Sequence, residues 1–218
     1  MDIETLNQCL QYVQLTRPKS DFDKFIPLIG ALCGAIVGGS ITYFIARQKD
    51  QRSEENKLTC CIEDVGKIQD STDSFIKELM GPMQATALKQ DLVRHRLPYN
   101  ISPLCLGRYF TDIAHVFNRE QRSWIQEVMS DLESVNEKIP KIISRKDVHN
   151  SYDYSVLLLN ASAAAINVSK ACRKIISGKE LVVGDAELFN EIGCTNDQVS
   201  YRGMLIKNID NNNNFLGL

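Results

Sequence analysis

Three histidines and seven cysteines are the side chains of this chain best suited to acid–base, nucleophilic or metal chemistry. His95, His115 and His149 stand far apart in sequence, with no HExxH and no Cys/His pair at ligand spacing. No metal site and no cofactor are therefore expected. Cys60 and Cys61 are adjacent, a poor geometry for a disulfide with each other. Cys61 falls on an apolar stripe with Cys60 beside it, which is the pattern of packed thiols rather than of a reactive pair. Arg94-His95-Arg96 is a small basic cluster at an expected helix end, where positive charge is favourable in any case. There is no glycine-rich phosphate loop. The one pairing at a suggestive interval is Arg108 and His115, in "RYFTDIAH", with six residues between them. Imidazole is the usual proton carrier near neutral pH, so this is where catalysis would be sought.

An arginine followed by a histidine at this interval resembles the motif of the HEPN ribonucleases. The resemblance implies a small all-α bundle in which Arg108 and His115 sit at a dimer cleft and cleave RNA without metal. The competing reading is a packed helix whose Arg108 lays its stem along the surface and whose His115 is partly exposed.

Charge does not single out a partner. Lys and Arg number 25 against 27 Asp and Glu, interleaved throughout, which leaves a net charge of −2. Composition thus gives no evidence for nucleic acid and shows no acidic solvating tail. The odd number of irregularly spaced cysteines, without CxxC, favours a reducing compartment. Three sequons, at Asn100, Asn160 and Asn167, are about what chance supplies in a chain this rich in Asn, Ser and Thr.

The elements that must position any site begin with "FIPLIGALCGAIVGGSITYFIA", residues 25–46. It carries no charged side chain, yet Lys24 and Arg47 flank it directly. As a helix it spans about 33 Å, matching a hydrocarbon core near 30 Å. A signal peptide is disfavoured by the residues ahead of it, including Asp21 and Asp23, and by the lack of a small-x-small exit before Ala46. A buried soluble helix would be shorter or interrupted by polar residues. Residues 24–47 are expected to form a transmembrane helix, with Pro27 in its first turn and Tyr43 near the far interface. Flanking Lys and Arg number three before the span and four after it, a margin of one that favours the C-terminal side in the cytosol.

Small residues inside the span repeat every four. Gly30, Gly34 and Gly38 form one row, continued by Thr42 and Ala46, and Ala31, Ala35 and Gly39 form a second row beside it. This spacing is expected to make a strip where another helix backbone can approach closely.

The rest of the chain reads as helix. Residues 1–20 place Ile3, Leu6, Leu10 and Val13 on one stripe, a short amphipathic helix ended by Pro18. Residues 48–81 carry Leu58, Cys61, Val65, Ile68, Thr72, Phe75 and Leu79 at alternating three-and-four spacing, the mark of a stalk or of a first bundle helix, expected to stop at Gly81-Pro82. Residues 82–210 are expected to form a helical bundle. Its parts are a helix over 83–96, one around 106–117, and one opened by the Asn118–Gln121 capping box and weakened by Pro140. An apolar central helix ending at Gly178 and two shorter helices, near 185–192 and 196–209, complete it. The polar run after Asp210 makes 211–218 an expected flexible tail. The fold class is all-α: a single transmembrane helix followed by a cytosolic helical bundle. The expected function is a membrane-anchored interaction, scaffold or regulatory protein. Its expected partners are the lipid bilayer, a copy of itself or another membrane helix, and a cytosolic protein. The alternatives are an anchored HEPN-like ribonuclease and a membrane-disrupting pore.

Overall fold

The computed structural model describes residues 8, 11–12, 21–90, 96–144 and 151–216, with side chains described for these except 21–28 and 212–216. Every regular element among them is helical. In chain order these are α1 (Asp21–Ala87), α2 (Leu104–Ile113) with a 3-10 turn at Ala114–Val116, α3 (Arg119–Ser144), α4 (Ser151–Ser177), α5 (Asp185–Ile192) and α6 (Asn196–Leu216). The chain divides into two compact units, residues 1–53 and 54–218. The expected N-terminal helix falls outside the described residues apart from Gln8, Gln11 and Tyr12.

In the first unit α1 starts at Asp21, so Pro27 lies in its second turn rather than its first. Every described side chain from Ile29 to Ser53 is exposed. Among the described residues two helices are long and apolar enough to cross a membrane, and they differ in burial. The apolar window in α1 has mean hydropathy 1.8 and none of it is buried, whereas 61% of the window in α4 is buried.

In the second unit the stripe on α1 turns inward. Cys61, Val65, Ile68, Thr72, Phe75 and Leu79 are all buried, and Leu58 packs against the same core. The helix does not stop at Gly81-Pro82 but runs on to Ala87. A proline inside a helix costs about 3 kcal/mol. Met80, Met83 and Ala85 are buried on either side of it, and two buried methionine side chains contribute about 1.5–3 kcal/mol each. Burial therefore outweighs the lost hydrogen bond. The residues expected as a separate helix from 83 instead complete α1, and 91–95 lie outside the described residues.

α1 ends in a Schellman motif: Gln90 N–H donates to the Ala85 carbonyl at 2.8 Å and Lys89 N–H to that of Thr86 at 3.2 Å. The left-handed position is Lys89, φ 53°, where glycine would be free of Cβ crowding. Lys89→Gly is expected to raise the unfolding free energy by about 1 kcal/mol in urea denaturation.

α3 opens as its capping box requires. Gln121 N–H donates to Asn118 Oδ1 at 2.7 Å and Asn118 N–H to Gln121 Oε1 at 3.2 Å. It continues through Pro140 because Val135, Ile139 and Ile142 are buried around it. α4 packs on α3, and α6 on α4. α4 is buried on most of its circumference by small residues, among them Ala161, Ser162, Ala165, Ser169 and Ala171, which let neighbouring helices approach closely. Asn160, Ala163 and Asn167 form its narrow exposed strip. This explains how asparagines sit in so apolar a helix. α4 stops at Gly178, φ +66°, whose N–H donates to the Lys174 carbonyl. α6 is helical to Leu216, so most of the expected 211–218 tail continues a helix, asparagine being only a modest penalty there.

Candidate functional site

At about 100° per residue, Gly30, Gly34 and Gly38 advance by 40° per step, and Ala31, Ala35 and Gly39 follow beside them. Ile29, Leu32, Ile36 and Tyr43 cluster on the opposite side. A Cβ built on Gly30, Gly34, Gly38 or Gly39 would meet nothing within 4 Å. The missing side chains therefore serve no packing against the described residues. Thr42 extends the row, and its hydroxyl donates to the Gly38 carbonyl at 2.8 Å. The result is a shallow apolar surface, smooth enough for a second helix to lie close.

Arg108 and His115 are both exposed, on α2 and in the 3-10 turn that follows it. The guanidinium of Arg108 lies 5.3 Å from the ring centre of Tyr109. His115 Nε2 is 3.8 Å from Glu54 Oε1, and both side chains are more than half exposed, so the pair is worth little. Each of the two residues is thus engaged by a surface neighbour. His95 and His149, with Arg94 and Cys9, lie outside the described residues. Among the described residues no three His, Cys, Asp or Glu side chains are grouped to hold a metal ion.

Two acidic side chains at the helix contacts, Asp64 and Asp73, join helices of the domain. Asp64, 5% exposed, accepts from the N–H groups of Cys105 at 2.9 Å and Leu106 at 3.0 Å through one oxygen. It thereby caps α2, whose own Pro103 supplies no side-chain cap. Asp73 accepts from Ser169 Oγ at 2.5 Å and from Arg173 Nη2 at 2.9 Å, and Arg173 Nη1 reaches Glu191 at 2.5 Å. Burial pushes the Asp73 carboxyl up while Ser169 and Arg173 pull it down, and the net direction is up. This cluster joins α1, α4 and α5. No local motif announces either arrangement, because their partners lie far apart in sequence.

Cys60 and Cys105 are joined in a disulfide, a pairing the cysteine spacing did not suggest. Cys61, Cys172 and Cys194 are free and buried, and burial pushes all three thiols up, Cys172 to about 12. In the folded protein these three should resist a soluble maleimide, and denaturant should release them to it, as counted by mass spectrometry. An open groove of about 180 Å³ between α1, α4 and α6 is lined by Thr86, Lys89, Ser155, Leu205 and Asn208. Two of the hydroxyls that line it donate to carbonyls of their own helices, Thr86 to Pro82 and Ser155 to Ser151.

Comparison with protein-family models, with curated proteins and with solved structures finds no match to this chain.

Proposed function

We propose that this chain is a single-pass, membrane-anchored interaction protein. Residues 24–47 cross the bilayer, the helical domain lies on the cytosolic side, and the Gly30–Gly34–Gly38 face pairs with a second copy of the same helix. The chain acts by bringing its domain, and a cytosolic protein bound to it, into a membrane assembly. The observation that carries this reading is the first half of α1, a long apolar helix with none of its window buried and glycines that none of the described residues packs against. The other apolar helix, α4, spends its surface inside the domain, which supports a single pass.

The test is disulfide crosslinking in membranes with Cys33 replaced by alanine. Ala31→Cys and Ala35→Cys on the strip should form dimers, and Leu32→Cys and Ile36→Cys on the far side should not. Equal crosslinking at all four positions, or none at any, would overturn pairing through this face. Arg108→Ala and His115→Ala should leave crosslinking unchanged, and an RNase activity abolished by either would favour the catalytic alternative instead.

A further inference from the structure

We propose that Cys60 and Cys105 are a reversible thiol–disulfide site that locks α2 onto α1 when the surrounding redox poise turns oxidising. Adjacent residues on a helix point about 100° apart, so the Cys60-Cys61 pair cannot both face the core. Cys61 takes the core position, fully buried, and Cys60 is left half-buried at the rim. The chain that crosses this rim is the start of α2, where Cys105 is also half-buried. Their Cα atoms are 5.9 Å apart, inside the range a disulfide bridges without backbone movement.

That approach is held by contacts other than the sulfur–sulfur bond. Asp64, one turn beyond Cys60 on α1, binds the backbone N–H groups of Cys105 and Leu106. Leu106 is itself buried. Just ahead, Ile101 exchanges two hydrogen bonds with the Asn136 side chain on α3, at 2.9 and 2.8 Å. The two sulfurs are therefore kept in register when reduced, which is what a pair needs in order to close and reopen. Among the described residues of the domain, Cys61 is the one other thiol beside the pair, donating to the Cys105 carbonyl at 3.6 Å. Burial and the charge of Asp64 both keep it protonated, so it makes a poor attacking thiolate. Cys172 and Cys194 are buried elsewhere in the core. Among the described residues of the domain, Cys60 and Cys105 are thus the thiols a small oxidant can reach.

The oxidant required is a low-molecular-weight disulfide of the glutathione class. One protein thiolate attacks a sulfur of that disulfide, forming a mixed disulfide and releasing one small thiol. The second protein thiolate then displaces the other small thiol and closes the Cys60–Cys105 bond. The two protein thiols give up two electrons and two protons, and the small disulfide carries them away as two thiols. Excess small thiol runs the same steps backwards. Closure ties residues 45 apart in sequence, so the oxidised form resists the opening of α2 from α1.

The test uses the full-length chain in lipid nanodiscs, equilibrated with mixtures of reduced and oxidised glutathione and then alkylated with a mass tag. The expected result is that the Cys60 and Cys105 tags vanish together as oxidised glutathione rises and return with reduced glutathione. Amide exchange over 104–113 should be at least about tenfold slower in the oxidised form. Cys60→Ser and Cys105→Ser should each remove both changes. Thiols that persist in excess oxidised glutathione would overturn the proposal. So would a bond that survives excess reduced glutathione, or loss of the Cys61 tag in the Cys60→Ser variant. None of these readouts depends on pairing through the glycine face.

Discussion

Gly34→Leu is expected to weaken self-association in bilayers by at least about a hundredfold, equivalent to about 2.7 kcal/mol. Gly34 is the middle of its row, and a Cβ there meets nothing within 4 Å among the described residues. Leucine is also the better helix former by nearly 1 kcal/mol, and it is more apolar, so neither the helix nor its insertion should suffer. Any loss is therefore assignable to the contact with a second helix. Between lipid-embedded helices that contact rests on close dispersion packing, which fades steeply when a bulky side chain pushes the backbones apart. Energy transfer between labelled chains in vesicles, followed as lipid dilutes the protein, reads the dissociation constant directly. Ile36→Leu on the opposite side is the matched control and should change nothing. If Gly34→Leu associates as tightly as the parent, the glycine face is not the contact.

Arg173→Ala is expected to destabilise the helical domain by about 3 kcal/mol at pH 7. Its guanidinium is 19% exposed and serves Asp73, which is equally buried, and Glu191 together. Removing it leaves the Asp73 carboxylate against α4 with only Ser169 as a partner among these contacts. Replacing both charges, as in Asp73→Leu with Arg173→Met, should cost less than the single change, because no unpaired charge is then buried. Urea unfolding followed through Trp124, the chain's only tryptophan, measures both. The pH dependence has a definite sign. The Asp73 carboxyl lies above its ordinary value of 3.8, so what it contributes is fully present below 3.8 and is lost as pH rises through the folded value. Without Arg173 the carboxyl rises further, and the variant's deficit should shrink as pH falls from 7 towards 4. A deficit that does not vary with pH would mean that Arg173 acts through packing alone.

Several elements were legible from local pattern. The long apolar half of α1 shows as an uninterrupted apolar run bounded by Lys24 and Arg47, its inward face as the stripe from Cys61 to Leu79, and the start of α3 as Asn118 with Gln121. What was not legible depends on partners distant in sequence. Gly81-Pro82 looks like a stop, and only the burial of Met80 and Met83 against the rest of the core carries the helix past it. The true end, at Lys89, has no glycine to mark it. The Asp64 cap, the Cys60–Cys105 bond and the Asp73–Arg173 pair join residues 41, 45 and 100 apart, and no spacing rule reaches that far. For the site, the glycine rows were visible in the sequence because a period of four is local. That none of the described residues packs against them was not.

The most direct measurement is labelling by a membrane-impermeant thiol reagent in intact cells. It uses Ser20→Cys or Asn212→Cys in a background carrying Cys9→Ser and Cys33→Ala, with that background alone as the blank. A crossing helix with the domain in the cytosol predicts labelling of Ser20→Cys before lysis and of Asn212→Cys only after it. Labelling of Asn212→Cys alone in intact cells would place the domain outside. If neither labels until lysis and the protein washes off membranes, the apolar half of α1 is no membrane span.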